Sequence, residues 1–456
     1  MGIPYTVDQI GLKVGRPRVT ITLIVINVIA YAITSLDYGF MQISGYWLWF
    51  GGFVPAYLAD VRQLYRFLTS MFLHGHFLHI FFNMLFLYNF GRHVENALGG
   101  KRFLALYLLS GLAASIFHAA FIPIEGAISM AVPAVGASGA ISGLLGAYLL
   151  LFPGSKLTMC FFYLFFPVCF TASASAYLIF WFIMQVIEGY ARTSTGVAVF
   201  AHAGGFLAGM ALLPRVINRE RHHLLRALTA SQRAFKYLFL GSTGLGHFSK
   251  LFLMLAISAV AVGSLFSAVA VRGFESPVKV ISLSTSYNVY CSPGDYLCDT
   301  GYSEDFILIR LNGVPRLLSE ISSPSVRIVF NRLEALNVIF DKGLAGSTTR
   351  TTLKKTAIVM GVPVNVELNM NASYDEIGVL DTAEGIMKAT VLTCSGGTCY
   401  PSGNGEFEFM IKTFVRTKRN PLLVSILTTF SALSIVTCLL ALDSLLRKAH
   451  ELELVV

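Results

Sequence analysis

Eight stretches of this chain are apolar over close to the roughly 18 to 20 residues that a helix needs to cross a bilayer, and nothing else in the sequence limits its architecture as much. They lie at about 19–36, 67–91, 102–122, 136–153, 172–190, 199–214, 250–271 and 421–443. Composition agrees: 55% of the 456 residues are hydrophobic and 13% are charged, with a mean hydropathy of +0.66. That leaves too few polar groups for a water-soluble surface. In lipid the backbone has to satisfy its own hydrogen bonds, so such runs fold as helices. The expected fold is an all-α polytopic membrane protein. It has a six-helix bundle within 1–214, a basic cytoplasmic linker 215–249 and a seventh transmembrane helix 250–271. A β-rich extracytoplasmic domain, 272–420, and an eighth transmembrane helix with a short cytoplasmic tail, 421–456, complete it.

The first run is preceded by Lys13, Arg16 and Arg18 and poorly followed by a small-residue cleavage site, so it reads as a retained anchor. Met1-Gly2 with Thr6 fits the N-myristoylation pattern, a short match of a kind that arises mostly by chance. Short loops rich in Lys and Arg stay in the cytoplasm. The chain start, the Arg92–Arg102 turn and the segment carrying Arg215, Arg219, Arg221, Arg226, Arg233 and Lys236 are basic, whereas 123–135 holds Glu125 and no Lys or Arg. Both ends of the six-span unit are therefore expected inside, with the second, fourth and sixth helices running from outside to inside. The net charge of +9 is then topology and calls for no nucleic acid.

Four polar side chains interrupt these apolar helices at one depth. His79 and Asn83 lie one turn apart and share a face of the second span. Ser138 opens the fourth within Gly136-Ala137-Ser138-Gly139, and His202 opens the sixth within Ala201-His202-Ala203-Gly204-Gly205. Reactive groups in lipid are expensive and functional by default. Gly136, Gly139 and Gly143 on one helix, and Gly205 and Gly209 on the other, supply small residues for close helix packing. Acyl transfer follows: His202 takes the proton of Ser138 as the hydroxyl attacks a peptide carbonyl. The Ser138 amide, the Asn83 amide and a His79 N–H are the candidate donors to the oxyanion. No Asp or Glu lies between Glu125 and Glu188 or between Glu188 and Glu220, so the arrangement is a dyad with His202 oriented by packing. It needs no cofactor.

Over roughly residues 60–214 these motifs resemble the rhomboid intramembrane serine proteases. Tyr65-Arg66 is similar to that family's Trp-Arg pair, and His74, His79 and Asn83 reproduce its His and Asn spacing. Gly91-Arg92-His93-Val94-Glu95 with Gly99 resembles the turn that closes helix two, and the Ser138 and His202 motifs resemble the nucleophile and base helices. The resemblance implies a rhomboid-like six-helix bundle whose substrates are single-pass membrane proteins, cut near the outer membrane edge beside small and helix-breaking residues. It also implies that the fifth span and the loop around 191–199 act as gate and cap. One position departs from the pattern: Ser142 stands where active relatives commonly place an aromatic ring that supports the histidine.

The same residues carry other readings. A serine in a membrane helix often bonds back to its own backbone. His74, His76 and His79 form a metal site only with ligands that 61–94 does not supply, and HExxH is absent, so no metal is expected. His118 and His247 read as a satisfied polar residue and an interfacial one, and Trp47, Trp49, Phe50 and Phe53 as a loop in the outer interface. In the β-rich region, 278–290, 305–311, 325–330, 357–368, 386–393 and 406–415 read as strands. Cys291 with Cys298 and Cys394 with Cys399 are disulfide candidates, of open connectivity, in an oxidising space; Cys160, Cys169 and Cys438 read as packing residues. This domain is a candidate binding surface for substrate or another protein. A catalytically inactive relative that holds membrane clients, and a receptor or transporter working through the β domain, are the alternative functions.

Overall fold

The computed structural model describes residues 3–6, 16–163, 166–193, 197–228, 245–273, 278–291, 296–310, 316–317, 321, 323–359, 362–395, 398–415 and 421–454. The chain divides into two units, 1–274 with 419–456, and 275–418.

The first unit is helical. Its helices are α1 (Arg18–Thr34), α2 (Phe77–Phe86, carried on through a π turn at Leu87–Gly91 and Arg92–Leu98) and α3 (Gly100–Ala120). They continue with α4 (Ser138–Leu151), α5 (Ala174–Ala191), α6 (Val199–Val216), α7 (Arg219–Leu228), α8 (His247–Ala270) and α9 (Pro421–Asp443, extended to Leu452). Among the described residues α3, α5, α6, α8 and α9 are long and apolar enough to cross a membrane, while α1 and α4 are shorter apolar helices. The surface is inverted relative to that of a soluble protein. On α1, Ile21, Val25, Ile29 and Ile33 face outward while Thr20 and Asn27 are buried. On α8, Phe252, Leu255 and Phe266 are exposed while Ser264 and Ser267 are fully enclosed. Lipid rewards that arrangement, because apolar side chains gain nothing by leaving it and small polar ones need partners.

The second expected span begins later than its apolar run. Arg66–Thr69 and Ser70–Phe72 are single turns, and α2 starts only at Phe77, where the His76 side chain accepts the His79 N–H at 3.2 Å. The all-α expectation for the bundle is also corrected. Lys156–Tyr163 (β2) and Phe166–Ser173 (β3) form an antiparallel hairpin with Ile3–Thr6 (β1) along its edge, where no element was expected. Cys160 and Cys169 lie opposite each other in its register, and Cys438 is a buried free thiol.

Long-range polar contacts lock the helix ends. Pro17 offers no side-chain cap to α1, and Glu95 does so from a distance, accepting from Val19 N (2.9 Å), Thr20 N (2.8 Å) and Thr20 Oγ (2.7 Å). At the far end of α4 the Leu151 carbonyl accepts the Leu454 N–H at 2.7 Å. The C-terminal turn that delivers Leu454 is held by α7, where His222 Nε2 meets the Glu451 carbonyl at 2.9 Å. Part of the basic linker, 229–244, lies outside the described residues. Val271 and Leu427, near the two points where the chain leaves for and returns from the second unit, are buried with Phe53, Leu58, Ile122 and Met130.

The second unit is a seven-stranded antiparallel sheet ordered β6-β5-β4-β10-β9-β8-β7. Its strands are β4 (Val278–Cys291), β5 (Tyr296–Arg310), β6 (Arg316–Leu317), β7 (Thr348–Val359), β8 (Val362–Tyr374), β9 (Leu380–Ser395) and β10 (Thr398–Val415). Strand β10 shows the period of two: Phe407, Phe409 and Ile411 are buried, while Glu408 and Met410 are exposed. The segment 325–330, expected as a strand, is helical within Pro324–Ala335. Ser323 caps it, Pro324 begins it, and Val326, Val329, Phe330 and Leu333 present one buried stripe to the sheet. Cys394 and Cys399 are direct partners across β9 and β10, and Cys291 ends β4 opposite Tyr296; the side chains of the four candidate cysteines lie outside the described residues.

A buried charge cluster ties this sheet to its loops. Lys279, 2% exposed, reaches Asp375 at 2.7 Å and Asp381 at 3.3 Å. Burial pushes the Asp375 carboxyl up, but the Lys279 hydrogen bond, the Val379 and Ile377 N–H groups and the ammonium charge outweigh it, holding the group below the usual carboxylate range. A depressed folded value contributes stability that is present above the unfolded value of about 4 and is lost as pH falls through the folded one. The opening free energy of β4 in the full chain, from amide exchange corrected for the intrinsic rate at each pH, should therefore fall below about pH 4 and stay flat between pH 5 and 8. An opening free energy that instead falls on raising the pH would show the carboxylate is not held this way.

Candidate active site

The turn into α4 is built around Ser138. Gly136 adopts φ +129°, a conformation that side chains rarely take, and donates its N–H to the Ser70 carbonyl at 2.9 Å. A Cβ there would sit 2.7 Å from His79 Nε2 and 3.5 Å from Ser138 Oγ. Gly136 thus serves a turn beside the site, not helix packing as expected from sequence. The buried His74 approaches the next backbone group, the Ala137 N–H, with its Nε2 at 3.5 Å. Ser138 is the first residue of α4, so its own N–H belongs to the unsatisfied, electropositive first turn.

Helix α6 brings His202 to the serine. His202 Nε2 lies 2.8 Å from Ser138 Oγ. The approach depends on glycine: a Cβ on Gly205 would fall on the Gly139 carbonyl oxygen, and one on Gly209 on that of Gly143, so the two backbones touch where these residues cross. Gly139 and Gly143 also admit Ala114 and Ser110 of α3.

The expectation that His202 is oriented by packing alone is corrected. Its second ring nitrogen, Nδ1, lies 2.7 Å from Gln185 Oε1 on α5. One turn earlier, the Trp181 ring flanks the imidazole, with centroids 6.2 Å apart and planes inclined at 33°. Ser142, where an aromatic was to be expected, turns its hydroxyl back onto the Ser138 carbonyl at 2.7 Å and lies close to Gly205. The small residue lets α4 and α6 close up, and the aromatic flank comes from α5 instead. The sequence signal for Gln185 was a lone amide in an apolar run, four residues after a Trp.

Of the two side chains expected as oxyanion donors, His79 lies beside Gly136 and Ser138 and Asn83 is partly committed. His79 Nδ1 accepts the Gly75 N–H at 3.3 Å, which leaves the proton of the neutral ring on Nε2, the nitrogen beside Gly136 and Ser138. Asn83 Nδ2 donates to the His79 carbonyl at 2.8 Å, one turn back on its own helix, so one of its two N–H bonds is engaged there. Outside the site, Arg66 donates to the Trp49 and Gly52 carbonyls at 2.5 and 2.9 Å and to Gln63 Oε1 at 2.6 Å. It thereby fixes the loop whose short helix, Gly45–Gly51, exposes Tyr46 and Phe50 and buries Trp49. A hydroxyl, an imidazole in contact with it and N–H groups nearby make up the set that acyl transfer through a serine requires.

Comparison with known proteins places these residues in a wider set. Residues 61–219 match the model of the rhomboid domain. The chain is 26% identical over 212 residues to rhomboid protein 1, mitochondrial, of Saccharomyces cerevisiae, covering 44% of this chain and 57% of that one. It is 33% identical over 135 residues to rhomboid protease GluP of Bacillus subtilis, covering 30% and 25%. Inactive RHOMBOID-like protein 8 of Arabidopsis thaliana is 31% identical over 99 residues, covering 22% and 26%. The chain thus spans between a quarter and three-fifths of the length of these relatives, and the domain match ends before the β-sheet unit begins.

Proposed function

This chain is an integral membrane protein of the rhomboid family, and from that premise we propose that it is an intramembrane serine endopeptidase acting on transmembrane proteins. The 2.8 Å contact between Ser138 Oγ and His202 Nε2 carries the reading. Family membership alone does not carry it, since one relative is named inactive; the contact between the Ser138 hydroxyl and the His202 ring is what supports it here.

In the proposed reaction Ser138 Oγ attacks the carbonyl carbon of the scissile bond as its proton passes to His202 Nε2. Charge develops on the carbonyl oxygen, where the Ser138 N–H at the head of α4 and the His79 Nε2–H are the supporting donors, with the uncommitted Asn83 N–H as a third. His202 then returns the proton to the leaving amine, and water, activated by the same ring, releases the acyl group. The substrates proposed are single-pass membrane proteins. The charge pattern of the loops supports a site facing the extracytoplasmic side.

A fluorophosphonate tests this directly, because it reacts with an activated serine irrespective of substrate. Full-length protein in lipid vesicles is expected to become labelled at Ser138 and Ser138→Ala to remain unlabelled. Folded wild type that resists the probe, or Ser138→Ala labelled as fast as wild type, overturns the proposal.

A further inference from the structure

We propose that Gln185 is a positioning residue of the site: its amide oxygen accepts the His202 Nδ1 proton and so fixes the tautomer in which Nε2 faces Ser138 with a free lone pair. The inference rests on the protease reading for its catalytic consequence, though not for its geometry. Gln185 Oε1, His202 Nδ1, His202 Nε2 and Ser138 Oγ form one chain, with 2.7 Å at the first link and 2.8 Å at the last. Gln185 is 9% exposed on an apolar helix, where an amide is costly unless bonded, and His202 is the partner it finds.

The chemistry explains why an amide stands here. A neutral imidazole carries one proton on two nitrogens, and only the Nδ1–H form can take a proton from the serine. In water-exposed serine hydrolases a carboxylate selects that form. At this depth a carboxylate adds a charge that lipid penalises, and α5 and α6 carry none except Glu188 near the end of α5. An amide oxygen accepts the same hydrogen bond without the charge. Trp181, on the same face one turn away, limits tilt of the ring, so α5 supplies both the axis and the plane of the base. The sequence offers no acid because the role is filled by a neutral residue.

The test uses full-length protein in lipid vesicles with ¹⁵N-labelled histidine, His202 being assigned by its loss in His202→Ala. Gln185→Met keeps the length and removes the acceptor; Gln185→Asn removes it by shortening and serves if the first variant fails to fold; Gln185→Glu keeps an acceptor oxygen. Wild type and Gln185→Glu are expected to show a protonated Nδ1 and an unprotonated Nε2, and Gln185→Met a mixture. Cleavage of a single-span substrate by Gln185→Met should fall about 10- to 100-fold in kcat with KM unchanged, and recover in Gln185→Glu. A wild-type His202 protonated at Nε2, or a Gln185→Met protein that keeps both signature and kcat, overturns the assignment. Wild type that shows the Nδ1 signature, loses it in Gln185→Met and cleaves nothing upholds the positioning role and removes the protease reading alone.

Discussion

His202→Ala is expected to leave the protein folded and to slow single-turnover cleavage of a membrane substrate by about 10⁴- to 10⁶-fold with little change in KM. The base does nothing until the serine attacks, so its loss removes an interaction made only on the way to the transition state. Ser138 and His202 share one proton across 2.8 Å and therefore act as a unit. Ser138→Ala combined with His202→Ala should for that reason be no slower than either alone, since a hydroxyl without a base and a base without a hydroxyl fail at the same step. Residual hydrolysis is expected from the His79 and Ser138 N–H donors alone. Single variants whose losses simply add would show the two groups working in separate steps, and a His202→Ala protein within tenfold of wild type would remove the imidazole from the reaction.

Much of this site could be read from the sequence because lipid makes polar residues conspicuous. Ser138, His202, His79 and Asn83 stand out from apolar helices, and the glycines beside the first two mark where backbones meet. The features that the sequence hides are polar but ordinary. Gln185 does not stand out, because a carboxylate is the usual partner of such a histidine, whereas the physical demand is only for an acceptor at Nδ1. The sequence marks Asn83 as a donor but does not show that the His79 carbonyl, one turn back, takes one of its two N–H bonds. The β2–β3 hairpin was missed since 156–173 contains no Gly, Asn or Asp to signal a turn. At 325–330 the conflict runs the other way: a β-branched run signals a strand, and the Ser323-Pro324 helix start just ahead of it prevails.

The other large effect concerns the crossing that makes the dyad possible. Gly205 lies one turn beyond His202 on α6, and its face meets the Gly139 carbonyl, one residue after Ser138 on α4. Neither contact partner is a side chain that can swing away. A single added methyl in Gly205→Ala has to be accommodated by moving two backbones apart, and overpacking of that kind typically costs about 1 to 3 kcal/mol. The kinetic consequence should exceed the thermodynamic one. A hydrogen bond of 2.8 Å that lengthens by about 1 Å passes out of the range in which it counts, and misplacement on that scale can lower a rate about 100-fold. Gly205→Ala should therefore unfold at a lower temperature than wild type in the same detergent and lose cleavage out of proportion to the fraction unfolded. Gly246→Ala is the control, since φ there is −63° and a Cβ would meet nothing within 4 Å; its Tm and rate should match wild type. If Gly205→Ala matched wild type in both respects, α4 and α6 could not be as close as the serine and histidine require, and the glycines would owe their places to something other than this contact.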